Sequence, residues 1–175
     1  MPLFGLIGYP LSHSFSKKYF TEKFEREGLG NYRYENFPIA SIDELKKVIA
    51  ANPDLRGLNV TIPYKELVLA FLHHSSDTVK LVGACNCIKI ISGKLYGYNT
   101  DVIGFEKTLN AKLLPHHKKA LVLGSGGASK AVQFVLKKKG IEFLVVSRST
   151  NSSFIPFEKI STELVEKHLL IINTT

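Results

Sequence analysis

Asn59, Thr61 and Lys65 fall two and four residues apart in the stretch Gly57-Leu58-Asn59-Val60-Thr61-Ile62-Pro63-Tyr64-Lys65. Leu58, Val60 and Ile62 alternate with Asn59 and Thr61, which is the period of a strand with two different faces. Pro63 has no N–H to give a ladder and is expected to end the strand. An amide, a hydroxyl and an ammonium are thereby delivered to the carboxyl end of a strand. Open α/β sheets bind ligands at that end. The plainer alternative is an ordinary strand with a surface lysine.

Other residues invite chemistry by their place. Ser12, Ser14 and Ser16 lie in the turn-rich loop Tyr9-Pro10-Leu11-Ser12-His13-Ser14-Phe15-Ser16. Ser14 or Ser16 could cap the helix that follows, but capping explains one serine and not both. Asp101 closes Gly97-Tyr98-Asn99-Thr100-Asp101 at a strand-to-helix junction, where capping is the ordinary role.

A phosphate cradle is written in Gly124-Ser125-Gly126-Gly127-Ala128-Ser129-Lys130. The apolar strand Ala120–Leu123 runs into it, and a helix with Ala131, Val132, Phe134, Val135 and Leu136 leaves it. Gly124 permits the tight turn and Gly126 lets a pyrophosphate approach the backbone at the helix N-terminus. The third glycine position falls on Ser129. A second strand, Ile141 to Val146, ends in Ser147-Arg148-Ser149. NAD sites usually carry an acidic residue there, whereas a guanidinium among hydroxyls suits a 2′-phosphate. The residues thus favour NADP(H).

These groups need elements to hold them. Residues 3–8 read as a buried strand, and Lys17 to Glu27 as a helix with Tyr19, Phe20 and Phe24 on its apolar side. Tyr32 to Phe37 reads as a second strand. Ser41 with Glu44 forms a capping box before the stripe Ile42, Leu45, Val48 and Ile49. Residues 1–65 therefore read βαβαβ, with parallel strands and right-handed crossovers. A short apolar helix is expected over 66–72. Leu81 to Ile91 is expected as a strand, turning at Ser92-Gly93 into a hairpin partner, Lys94 to Tyr98. The basic segment 114–119 marks a division into an open α/β domain, 1–115, and a partial dinucleotide-binding domain, 116–175. His168 to Asn173 is expected as the latter's third strand. The second mononucleotide half of such a fold is not present in the sequence.

Composition narrows the class. Of 175 residues, 45% are hydrophobic and 22% charged, which is globular. No apolar run approaches the roughly 20 residues that span a bilayer, and the N-terminus does not read as a signal peptide. Net charge is +8. It suits an anionic small molecule or phosphorylated cofactor, since the basic residues do not interleave with aromatics as a nucleic-acid patch would. Cys85 and Cys87, two apart on a strand, would sit about 7 Å apart, too far for an easy bridge. The adjacent pairs His73-His74 and His116-His117 read as surface residues, so no metal is expected. A reducing cytoplasm fits. Oligomeric state is not legible in these residues.

Several separated motifs together resemble the shikimate dehydrogenase family. They are Ser14-Phe15-Ser16, Asn59-Val60-Thr61-Ile62-Pro63-Tyr64-Lys65, Gly83-Ala84-Cys85-Asn86, Gly97 to Phe105, Gly124 to Ala128, and Asn173-Thr174-Thr175. The resemblance covers the whole chain and implies an α/β substrate domain followed by a Rossmann domain. It implies reduction of 3-dehydroshikimate to shikimate with NADPH, in aromatic amino-acid biosynthesis. Lys65 and Asp101 match the catalytic pair. Ser14 and Ser16 match the serines that hold the substrate carboxylate. Asn59, Thr61 and Asn86 match substrate contacts, with Thr100 beside the pair. Gly124, Ser125, Gly126, Gly127 and Ala128 match the phosphate loop, and Ser147, Arg148 and Ser149 the 2′-phosphate clamp. Lys17 stands where the family usually has proline, and Cys87 where it usually has threonine. The family's C-terminal part is absent from these residues. A broader quinate/shikimate dehydrogenase and a non-catalytic shikimate-binding protein are the alternatives.

Overall fold

The computed structural model describes residues 1–148 and 153–175. Contacts divide the chain into two compact units, 1–80 with 85–98 and 81–84 with 99–175.

The first unit opens with β1 (Leu3–Gly8), α1 (Ser16–Arg26), β2 (Arg33–Pro38), α2 (Leu45–Ala51) and β3 (Leu55–Val60). Both β2 and β3 pair with β1 in parallel, as the βαβαβ reading requires. The capping box forms: the Ser41 hydroxyl accepts the Asp43 N–H, and Glu44 accepts the Ser41 N–H at 2.9 Å. It starts a 3-10 turn that leads into α2, whose Leu45 is fully buried. After β3 come α3 (Tyr64–Leu67), a 3-10 turn and the short β4 (His74–Ser75). The hairpin of β5 (Cys87–Ile91) and β6 (Lys94–Tyr98) turns at Ser92-Gly93 with both φ positive. The sheet order is β2-β1-β3-β5-β6-β4. One core lies among Ile7, Leu45, Leu58, Val68 and Ile88. On another face, Phe20 and Phe24 of α1 pack over Leu6, Leu11 and Tyr34.

Three expectations need correction here. β3 ends at Val60 rather than Pro63, because Tyr64 N–H closes a turn on the Thr61 carbonyl, and Ile62 is exposed. Leu81 to Ile91 is not one strand. Val79 and Val82 are buried at helical spacing while Leu81 is exposed, so α4 (Asp77–Val82) takes the first residues and β5 begins at Cys87. In α1, Phe20 and Phe24 face inward, but Tyr19 is exposed.

The second unit holds α5 (Asp101–Asn110), β7 (Lys119–Leu123), α6 (Gly127–Lys138), β8 (Glu142–Val146), α7 (Thr162–Lys167) and β9 (Leu170–Asn173). β8 and β9 flank β7, both in parallel. Ile155 bridges Val146 in parallel, outside β8. The order is therefore Ile155, β8, β7, β9. In a dinucleotide fold the third strand lies beyond the second and the fourth lies beside the first. The segment expected as the third strand thus takes the fourth place, and Ile155 marks the third. The order reverses between β7 and β9, where such folds bind their ligand. Residues 99–115, expected with the substrate domain, group with the second unit. Val102 and Leu109 of α5 share an apolar cluster with Val132, Val135 and Leu136 of α6, and Glu106 pairs with Lys138 at 3.0 Å and Lys139 at 3.5 Å.

Candidate functional site

In the first unit, β1, β2 and β3 run in parallel, so their carboxyl ends share one edge. Ser14 and Ser16 follow β1; Thr61 and Lys65 follow β3. β5 runs antiparallel to β3 with Cys87 opposite Asn59, so its amino end comes to the same edge. There the Val60 N–H donates to the Asn86 carbonyl at 2.9 Å and the Asn86 N–H to the Tyr98 carbonyl at 3.1 Å. The Cys85 N–H donates to the Lys65 carbonyl at 2.7 Å, which ties the start of α3 to the loop before β5. The fold thus gathers Ser14, Ser16, Asn59, Thr61, Lys65 and Asn86 along one edge of one sheet. Asn86 is buried, while Lys65 and Thr61 are half-buried.

Close approach at this edge depends on Gly8. A Cβ there would collide with Thr61 Cγ2 and meet Leu11 Cδ2 at 2.8 Å. The Thr61 N–H donates to the Ile7 carbonyl at 3.0 Å and Tyr9 N–H to the Ile62 carbonyl at 3.0 Å, so pairing continues past the regular strands.

The serines do not cap α1 in the expected way. The cap position is Phe15, which offers no side-chain bond, and the Ser14 hydroxyl accepts the Ser16 N–H at 3.3 Å. Lys17, where the family's proline was expected, reaches Glu35 of β2 at 2.6 Å. Asn36 on β2 was missed by the sequence reading. Its Oδ1 is buried without a partner among the described residues, and it lines a cleft with Ser14, Lys17 and Thr21. An orphaned acceptor beside a cleft is a place for a ligand hydroxyl or an ordered water. Tyr34 was also missed. Its hydroxyl donates to Asn59 Oδ1 at 2.8 Å. The only sequence signal was a tyrosine on the strand neighbouring β1.

The second unit holds Thr100 and Asp101. Asp101 is the first residue of α5, not its cap. Asn99, buried, does the capping: its Oδ1 accepts the Val102 N–H at 3.3 Å and its Nδ2 donates to the Ala84 carbonyl at 2.9 Å.

Between β7 and α6 the glycine loop meets the test of shape for a dinucleotide. Gly126 is the cap position of α6 and brings no side-chain cap, and the first turn holds no acidic residue. Among the described residues, a Cβ on Gly126 would meet nothing within 4 Å, so the approach to its backbone is open on that side. Free N–H groups, the positive end of a 12-residue helix and an open approach suit a pyrophosphate. Ser129, in the third glycine position, is fully buried and receives Gln133 Nε2 at 3.0 Å. Ser147 is turned inward, with its hydroxyl 2.8 Å from that of Ser125. Arg148 is exposed just past β8. Ser149 lies outside the described residues.

Residues 6–88 match the family described as shikimate dehydrogenase substrate binding domain. The NADP(+) shikimate dehydrogenase of Aquifex aeolicus is 39% identical over 99% of this chain and 67% of its own length. The chain belongs to the shikimate dehydrogenase family. A second shikimate dehydrogenase (NADP(+)), from Methanococcus maripaludis, is 37% identical over 95% of the chain and 60% of its own length. The crystal structure of the Aquifex aeolicus shikimate dehydrogenase superposes with a TM-score of 0.85, at 37% identity, over 100% of this chain and 69% of that one. A shikimate dehydrogenase from Thermus thermophilus, solved with NADP(H) and shikimate, superposes with a TM-score of 0.75, at 33% identity, over 100% of this chain and 63% of that one. This chain thus spans about two thirds or less of its curated relatives. Among the described residues, no helix is long and apolar enough to cross a membrane.

Proposed function

We propose that the chain carries the substrate site and the first part of the cofactor site of an NADP-dependent shikimate dehydrogenase, which reduces 3-dehydroshikimate to shikimate. The observation that carries this reading is the gathering of Ser14, Ser16, Asn59, Thr61, Lys65 and Asn86 along one sheet edge. Membership of the family supports it. Hydroxyls and amides are the groups that hold a small polyhydroxylated carboxylic acid, and the +8 net charge favours an anionic ligand. Two free cysteines suit a cytoplasmic setting.

NADPH, when bound, supplies the hydride that the substrate carbonyl carbon receives. The chain's own residues do the rest. Ser14 and Ser16 hold the carboxylate, while Asn59, Thr61 and Asn86 orient the ring hydroxyls. Lys65 gives a proton to the carbonyl oxygen in the reduction and takes it back in the reverse direction. Asp101 is the carboxylate that orients the ammonium and shares its proton. Gly126, Gly127 and Ala128 offer the pyrophosphate backbone N–H groups, Gly124 makes the turn before them, and Arg148 takes the 2′-phosphate.

Lys65→Ala tests the assignment. Turnover should fall by roughly a hundredfold or more, with shikimate affinity changed far less. A loss below about tenfold removes Lys65 from proton transfer. Titration with each ligand tests the wider reading. Shikimate binding without NADPH binding would make the chain a binding module rather than a reductase.

A further inference from the structure

Asn59 presents an amide that can face a ligand in either of two ways, as donor or as acceptor. What surrounds its inner end decides which. The Tyr34 hydroxyl donates to Asn59 Oδ1 at 2.8 Å. With Oδ1 taken, the outward group is Nδ2, a donor. The Tyr34–Asn59 bond ties strand β2 to the end of β3, across 25 residues of sequence.

The tyrosine is itself held. Its ring stacks on Phe20 of α1, with centroids 4.5 Å apart and planes at 12°. It is 3% exposed, in a cluster with Leu6 and Leu11. Burial pushes its phenol well above the ordinary value. It stays protonated at every working pH and so remains a donor.

We propose that Tyr34 is a positioning residue that fixes the Asn59 amide with its N–H group toward the substrate. The proposal rests on the shikimate reading of this edge. It assigns specificity: the ligand atom met by Asn59 is an acceptor oxygen. A double-mutant cycle apportions the contribution of the Tyr34–Asn59 bond.

Tyr34→Phe keeps the ring and its stacking and removes only the hydroxyl. Shikimate titrated into the 175-residue chain should bind roughly tenfold more weakly in this variant. Introduced into an Asn59→Ala background, the same change should cost less than about twofold, because the amide it orients is gone. In turnover the loss should fall on KM, with kcat nearly unchanged. A residue that merely supports the fold would lower Tm and weaken binding equally in both backgrounds. Tyr34→Phe binding within about twofold of the parent, or equal losses in the two backgrounds, overturns the proposal. A measurement on the parent alone guards against an unfolded variant. The Asn59 side-chain amide protons should give one sharp pair of resonances that shifts on saturation with shikimate; a pair that does not move also overturns it. A parent chain that binds no shikimate defeats the proposed function, and the role of Tyr34 with it, whereas normal parent binding with a silent Tyr34→Phe defeats the role alone.

Discussion

A Cβ on Gly124 would lie 2.7 Å from the Thr174 hydroxyl and 3.1 Å from the Thr174 carbonyl carbon. Gly124 follows β7 and Thr174 follows β9, the strands between which the sheet order reverses. The Thr174 N–H and hydroxyl both donate to the Leu123 carbonyl at 2.8 Å, closing the two strand ends on each other. Gly124 also has φ +110, a region that side chains rarely adopt. Gly124→Ala therefore meets both strain and collision, and it should destabilise the second unit by roughly 1–3 kcal/mol or more. Thr174→Ala should rescue little of this, since the backbone of residue 174 remains in the way. Denaturant titration of the single and double variants checks both expectations.

Asn99 occupies a position whose importance the sequence hid behind its neighbour. It is 4% exposed and makes two hydrogen bonds, one to each side of its amide. Asn99→Ala strands the Ala84 carbonyl and the Val102 N–H in a buried place, at a cost of about 2–4 kcal/mol. Asn99→Asp keeps the acceptor for Val102 and loses the donor to Ala84, so its cost should be intermediate. Thermal melts of both variants against the parent decide the order. If Asp101 works in proton transfer, both variants should also lower kcat by loosening the first turn of α5.

If Arg148 takes the 2′-phosphate as proposed, it carries the cofactor preference. It is the exposed cation immediately after β8, and Ser147 beside it is turned inward toward Ser125. Arg148→Ala should weaken NADPH binding roughly tenfold to a hundredfold, the worth of a charge-assisted hydrogen bond, and leave NADH binding unchanged. Equal losses for the two cofactors would place the guanidinium away from the 2′-phosphate. Fluorescence titration with each cofactor separates the cases.

The sequence exposed those features that obey a local rule. The Ser41–Glu44 box, the Ser92-Gly93 turn and the strand, loop and helix around Gly124 all depend on residues within a few positions of one another, and each formed as read. What escaped depends on partners far along the chain. Tyr34 meets Asn59 across 25 residues, and a tyrosine on a strand carries no mark of that partner. Leu81 and Val82 looked like the start of a strand because apolar residues in a short run have no clear period; only their opposite exposures reveal a helix end. Asp101 looked like a cap because it stands at a junction, but Asn99, two residues earlier, reaches both the helix and a distant carbonyl. The exchange of third for fourth strand hung on Ile155, a single bridging residue that no periodicity could announce.

The two thiols should be nearly silent in the folded chain. Cys85 is fully buried, with its Sγ 3.3 Å from the Cys87 carbonyl, and burial pushes its thiol up to about 11. Burial also raises Cys87. The thiolate is the reactive form, and at pH 8 it makes up only about a thousandth of a thiol that titrates near 11. A disulfide reagent at pH 8 should therefore label the folded chain slowly and take up two equivalents after unfolding. Fast labelling of the folded chain at one site would assign that thiol to Cys87 and mark its strand end as open to solvent.

Glu106 ties α5 to α6 and gives the second unit a dependence on pH. The hydrogen bond from Lys138, with Lys139 beyond it, holds the carboxyl below the ordinary glutamate value of 4.5. A carboxylate depressed in the folded state stabilises that state fully above its unfolded value, and the contribution disappears as pH falls through the lower folded value. Glu106→Gln should therefore lower Tm slightly at pH 7 and make no difference well below pH 4.5. Because both lysines are partly exposed, added salt should shrink the pH 7 effect. A Tm difference that persists unchanged in acid would mean that the glutamate acts by packing on α6 rather than by its charge.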